Sequence, residues 1–296
     1  MPCDAIADRI IFVMTSEMKS EMNMNEMKTQ WDCMLQNVGS WNGSFTRFAL
    51  DGTQTSDISS HLTLEDRGDH RACLTLIRES LDHPQPMVLE YSSINQSTLF
   101  TDSGAFSQGS MQYAPFSQFG AEFGHVWGDR RLRLVQLFTP ESKPEFVTLI
   151  REKRSGTGAK CTDILTVDDL LGTWEGSATT VYPDLRNPDR FTSTLTIAQT
   201  DAQTLEQSLT FAGRTIASKG RLQGQSLFFD QGPVTTQVLR LPDRASVSFP
   251  TEIPKGMPFF LECGWMPEPT VRHRLIRAYD KHGGWVSFTQ VIERKT

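Results

Sequence analysis

Long apolar runs are missing from this chain. No stretch of its 296 residues approaches the roughly 20 apolar residues that a membrane helix needs, so no membrane span is expected. Positive charge is also in short supply. With 29 Lys and Arg against 35 Asp and Glu, the formal net charge is -6, and the basic face that nucleic-acid binding requires is not expected. Cysteine is sparse and odd in number: Cys3, Cys33, Cys73, Cys161 and Cys263 are widely scattered, without a CxxC or a His/Cys cluster. That excludes the common zinc and thiol-redox motifs and fits a reducing, cytoplasmic setting. GxSxG, P-loop and GxGxxG motifs are absent, as is any triad order. The apolar patch at 10–14 is short, follows Asp4 and Asp8, and has no basic cluster, so it makes a poor signal peptide. The Met-rich polar stretch 1–26 is expected to be a disordered extension, or to belong to a start placed too far upstream of Met27.

What is present is a doubled pattern of short strands. Residues 262–279, ECGWMPEPTVRHRLIRAY, read as a strand carrying Arg272, Arg274 and Arg277. Side chains alternate along a strand, so Arg272 and Arg274 share a face with Ile276 and Ala278, while Arg277 takes the opposite one. Residues 122–138, EFGHVWGDRRLRLVQLF, repeat the pattern: Arg131 aligns with Arg272, Arg133 with Arg274, Leu134 with Leu275 and Phe138 with Tyr279. A similar strand follows each copy, FVTLIREK at 146–153 and FTQVIERK at 288–295. Upstream, the spacing of Trp31, Met34, Leu35 and Val38 predicts a short helix over 27–38, leading into Gly39-Ser40-Trp41-Asn42-Gly43-Ser44. A second helical stretch at 167–171 leads into Gly172-Thr173-Trp174-Glu175-Gly176-Ser177.

Between these landmarks, strands are predicted at 59–64, 72–79, 87–91, 97–100 and 110–113. In the second half they are predicted at 191–199, 204–211, 214–223, 226–230, 235–241 and 259–263. Turn residues at roughly 8–12-residue intervals, without alternating long helices, predict an all-β fold of two tandem antiparallel β-barrels, each preceded by a short helix. The polar, Gly-rich stretch 155–162 reads as a linker between barrels at 27–154 and 163–296.

Gly-x-Trp near the start of each half, with an arginine on a late strand, resembles the calycin superfamily, which includes lipocalins. The resemblance implies that Trp41 and Trp174 each plug one end of a barrel and that an arginine from each copy packs across them. Segments at 104–124, 170–188 and 258–295 are similar to a cyanobacterial two-domain lipocalin-like family of unknown function, over nearly all of 28–295. This implies a fold and no activity. More distantly, Glu262, Trp265, Arg272 and Arg274 resemble the late strands of S-type phycobiliprotein chromophore lyases, although those are not duplicated. Lyases of this type hold a linear tetrapyrrole and pass it to a protein cysteine. The resemblance implies a bound bilin or other tetrapyrrole, with a phycobiliprotein subunit as partner, and no cofactor is otherwise required.

The candidate ligand-binding set is Arg272, Arg274, Trp265, Glu262, Tyr182 and Asp184. Arg272 and Arg274 either point inward to a ligand carboxylate, which an arginine fork meets with paired hydrogen bonds, or pair with strand carboxylates such as Glu262 or Glu293, or lie on the solvent face. Tyr182 and Asp184 belong to an aromatic, polar loop, 182–186, that leaves the first strand of the second barrel as a mouth residue set or an ordinary turn. Asp184 and Glu262 are candidate proton donors to a bilin. His273, between the two arginines, faces away from them. The aromatics of 104–124 form either a cavity wall or the contact between the barrels. The expected function is binding of a hydrophobic, acidic small molecule in the second barrel. The alternatives are a bilin lyase and a ligand-free scaffold or assembly factor.

Overall fold

The computed structural model describes residues 28–79, 85–158 and 162–296. The expected N-terminal extension and Cys161, within the expected linker, lie outside the described residues. The first half begins with helix α1 (Gln30–Leu35) and a nine-stranded antiparallel sheet. Its strands are β1 (Gly39–Phe48), β2 (Gln54–Gly68), β3 (Arg71–Arg78), β4 (Met87–Tyr91), β5 (Thr98–Phe100), β6 (Phe106–Gly109), β7 (Phe119–Trp127), β8 (Arg130–Phe138) and β9 (Pro144–Arg154). The order β4-β3-β2-β1-β9-β8-β7-β6-β5 leaves β4 and β5 as edges, so this half is a curled sheet and not a closed barrel.

The second half follows helix α2 (Val167–Leu170) and closes fully. Its strands are β10 (Gly172–Val181), β11 (Asp189–Asp201), β12 (Thr204–Phe211), β13 (Arg214–Gln223), β14 (Ser226–Phe229), β15 (Thr236–Leu241), β16 (Ala245–Pro250), β17 (Phe259–Glu268), β18 (Val271–Tyr279) and β19 (Trp285–Lys295). Each strand pairs with the next, and β19 returns to β10, leaving no free edge.

The two halves start alike. Thr29 caps α1 and Thr166 caps α2, each in a reciprocal box with an aspartate three residues on, Asp32 and Asp169. One helical turn later, Trp41 Nε1 donates to the Asn37 carbonyl and Trp174 Nε1 to the Leu170 carbonyl, both at 3.0 Å. Both indoles are fully buried, as plugs should be. Trp41 is flanked by Arg131 and Arg154, with Cζ 4.6 and 4.4 Å from the ring. Gly39 has φ +142°, and a Cβ there would sit 2.2 Å from Arg154 Nη1, so close approach of this cation requires glycine. In the second half Lys295 takes the place of Arg154, with Nζ 5.2 Å from Trp174. The cation recorded over Trp174 is therefore a lysine, where an arginine from the second copy was expected.

The repeat also corrects a register. Arg131 pairs across strands with Glu152, and Arg272 with Glu293, a spacing of 21 in both copies. FVTLIREK and FTQVIERK, aligned by appearance, are thus one residue out of structural register. Other departures are local. Residues 110–113 carry a single isolated bridge, at Gln112, and the strand lies at 106–109. Strand β16 is absent from the expected strands although Ala245, Val247 and Phe249 alternate with Ser246 and Ser248, and all six of its residues are buried.

On β8 and β18, Arg131, Arg133, Arg272 and Arg274 point inward, whereas Leu134 and Phe138 or Leu275 and Tyr279 point out, with Arg130 and Arg277 on their face. The outer face of β7–β9 packs on that of β15–β18 in the largest core cluster. The register makes Phe119 equivalent to Phe259 and His125 equivalent to Trp265. The members of each equivalent pair touch, with ring centroids 5.7 and 5.9 Å apart. Tyr113, Phe119 and Phe123 join this contact, whereas Phe106 turns into the first sheet beside Phe100. The aromatic stretch is therefore chiefly the junction between the halves.

Candidate functional site

The interior of the closed barrel holds a cavity of about 310 Å³. Strand alternation delivers one residue in two to it: Leu195 and Ile197 from β11, Leu205 and Leu209 from β12, Leu227 from β14 and Val238 from β15. Leu170 of α2 closes its floor. Its mouth lies in the barrel wall. Strand β14 is short and pairs with β13 only at 221–223, so residues 214–220 pair with β12 alone. The cavity reaches this gap, between 216–219 of β13 and the loop 231–234. A smaller space of about 60 Å³ lies beyond Phe260, Leu209 and Arg274, lined by Phe191 and Phe211.

Arg272, Arg274 and Glu262 line the larger cavity together. Arg274 forms a paired contact with Glu262, Nε to Oε1 at 2.9 Å and Nη2 to Oε2 at 2.8 Å, and Nη1 donates to Glu293 at 3.3 Å. Burial alone would lower the Arg274 pKa, but the carboxylates of Glu262 and Glu293 raise it above the usual arginine value. Burial would likewise raise Glu262, and Arg274 holds it below the ordinary glutamate value. So inward projection and pairing with strand carboxylates both hold for Arg274.

Arg272 is different. Its Nε stands 3.7 Å from Glu293 Oε2, beyond hydrogen-bond reach, and its Nη1 has no hydrogen-bond partner although the residue is only 8% exposed. Glu293 Oε2 is also without a hydrogen bond, in a residue that is 0% exposed. In the first half the same four positions are occupied by Arg131, Arg133, Glu122 and Glu152. There Arg131 is bidentate to Glu152 at 2.7 and 2.9 Å, and Arg133 bridges Glu152 and Glu122. Burial would raise the Glu152 pKa, but Arg133 and Arg131 hold it down at about 2.

The other expected residues lie elsewhere. Trp265 faces outward into the junction, 1% exposed, with the Arg130 guanidinium 5.0 Å from its ring. An odd number of positions separates it from Glu262, which alone puts it on the other face of β17. Tyr182 is buried and donates to Asp189, and burial followed by that carboxylate pushes its pKa up to about 12. Asp184 is exposed and pairs with Arg186 at 2.9 Å, whose guanidinium also lies 3.4 Å from the Tyr182 ring. The loop is a self-contained turn and does not line the cavity.

Two features of the junction were not visible as sites. Arg277, 0% exposed, has no carboxylate partner. It donates to Tyr279 Oη at 2.7 Å, to the Ser110 carbonyl at 3.1 Å and to those of Gly109 and Ser97 at 3.3 and 3.4 Å, and it covers the Trp285 ring at 3.4 Å. His125 and His273, one from each half, have ring centroids 5.9 Å apart. Neither ring nitrogen of His273 has a hydrogen-bond partner, and the polar neighbour of His125 is the backbone of Cys263. Among the described residues no group of three metal-ligating side chains occurs. Among the described residues no helix is long and apolar enough to cross a membrane.

Residues 27–157 match the N-terminal model of a domain of unknown function, DUF3598, and residues 162–296 match the family described as biogenesis factor required for ATP synthase 1, C-terminal domain. No curated protein matches the chain. A protein of unknown function from the DUF3598 family of Nostoc punctiforme PCC 73102 is 43% identical over 91% of this chain and 100% of that one, with a TM-score of 0.87. The S-type phycobiliprotein lyase CPES of Guillardia theta is 12% identical over 44% of this chain and 89% of that one, with a TM-score of 0.34. Kievitone hydratase of Nectria haematococca is 8% identical over 92% of this chain and 94% of that one, at a TM-score of 0.22. With a relative 43% identical over 91% of its length, the chain belongs to the DUF3598 family.

Proposed function

We propose that the closed barrel binds an apolar small molecule whose polar end meets Arg272. The observation that carries this is the difference between the two copies of one charge cluster. In the first half both arginines of the cluster, Arg131 and Arg133, are hydrogen-bonded to glutamates. In the second, Arg272 keeps a free donor on the wall of a cavity. A buried donor without a partner is costly, and a ligand acceptor would remove that cost. Apolar walls supply affinity through buried area, and a few polar groups fix orientation. A bilin is the finer form of this reading. The cavity is at the low end of the about 300–1,000 Å³ typical of pockets for drug-sized ligands, so a linear tetrapyrrole would seat only some of its rings inside.

Calorimetric titration of the full chain with ten-carbon amphiphiles tests the cavity, with Val238→Trp as the variant that fills it. Binding by the parent chain and loss of binding in the variant, at an unreduced melting temperature, are expected. Equal binding by both would remove the reading. Visible absorbance after co-expression with bilin-producing enzymes tests the pigment, and transfer of that colour to an apo-phycobiliprotein would convert the reading into the lyase one.

A second reading is favoured by the description of the family that matches residues 162–296. In it the chain is an assembly factor for an ATP synthase, and the barrel supports a docking surface. Co-elution of the tagged full chain with ATP synthase subunits is expected on this reading, and elution without them counts against it.

A further inference from the structure

The charge count at the cavity constrains what can sit there. Two guanidinium groups, Arg272 and Arg274, already face two carboxylates, Glu262 and Glu293. The remaining charged side chain on the cavity wall, Lys219, is at the mouth and paired with Glu206 at 2.5 Å. A ligand carboxylate would be a third buried anion against two cations. Burying an unbalanced charge costs more than one hydrogen bond returns. What the site lacks is not charge but hydrogen-bond partners: an acceptor for Arg272 Nη1 and a donor for the neighbouring carboxylate oxygen Glu293 Oε2.

Resting on the binding reading above, we infer that the head group taken at Arg272 is uncharged and both accepts and donates a hydrogen bond, as a primary alcohol does. Its oxygen accepts from Arg272 Nη1 and its hydrogen turns to the carboxylate side. The body behind it is apolar and short. At about 30 Å³ per water-sized group, 310 Å³ holds roughly ten such groups, the length of a ten-carbon chain. The head lies toward the floor, because Arg272 is next to the start of β18 and pairs with Glu293 near the end of β19, the end at which Trp174 closes the barrel. The tail runs toward the gap beside β13.

The test compares decanol with decanoate on the full chain at about pH 8, where a carboxyl group is ionised. The alcohol is expected to bind at least tenfold more tightly, and Arg272→Met is expected to erase that preference. If decanoate binds as tightly as decanol or more so in the parent chain, the inference is overturned while the cavity reading stands. If neither binds, and Val238→Trp leaves the titrations unchanged, the inference and the binding reading fall together. The parent-chain comparison needs no variant to fold.

Discussion

Arg277 shows how one residue can join two sheets. It carries a full charge into the junction and meets it with carbonyl oxygens from 97–110 and with an indole face. Burial lowers its pKa, and no carboxylate restores it. Arg277→Met should take a charged donor from the buried carbonyls of Ser97, Gly109 and Ser110, of which Ser97 keeps the Gly109 amide and Ser110 the Tyr279 hydroxyl, and cost about 2–3 kcal/mol, read as a lower urea midpoint. Arg277→Lys should recover little of this, because an ammonium cannot span acceptors arranged around a planar fork. The alternation of Arg272, Arg274 and Arg277 was readable in the sequence. The role of Arg277 was not, because, beyond Tyr279 and Trp285, its partners lie 167 or more positions away and are mostly backbone carbonyls, which leave no residue-type signal.

The arginine strands make a paired experiment of the duplication. Removing Arg131 strips Glu152 of its bidentate partner, and Arg131→Met should cost about 3–5 kcal/mol in chemical denaturation, the usual penalty for breaking a buried ion pair. Arg272→Met should cost less, because Arg272 lacks the two hydrogen bonds to Glu293 that Arg131 makes to Glu152, although it too leaves a buried carboxylate without its cation. Equal losses would mean the two clusters are held alike. The pairing glutamates were visible as candidates on β17 and β19, and the strand period put Arg272 and Arg274 on one face. The same period, applied to β17, would have removed Trp265. Closure of one sheet and not the other was not legible, because it depends on whether β4 and β5 meet across space. The mouth was equally hidden, since it follows from the brevity of β14.

At the scale of the molecule, the junction is the main core, and it contains two neutral histidines. Burial, then repulsion from Arg294, lowers the His273 pKa to about 4. Burial, then His273, holds His125 well below the usual histidine value. Around them stand Arg130 and Arg294 as cations, Trp127 and Trp265 as rings, and Cys263, whose thiol is pushed up chiefly by burial. A histidine with a depressed native pKa binds more protons when unfolded. The stability it allows is therefore complete above about pH 6.5 and lost as pH falls toward about 4. Melting temperature should drop across that window, and His273→Phe should flatten the drop. A variant with an unchanged acid profile would show that the pair is not responsible. The same junction implies that residues 162–296 expressed alone expose Phe259, Leu261, Leu275 and Tyr279. That fragment should aggregate or bind a hydrophobic dye, whereas the full chain should not.

Equivalent positions touching across that junction, Phe119 with Phe259 and His125 with Trp265, are the signature of a pseudo-dyad. A single-copy ancestor carrying such a face would have been a homodimer, and gene fusion would have made its association permanent. Once the mates were tethered, each was free to drift, one towards a sealed hollow and the other towards an unrolled sheet.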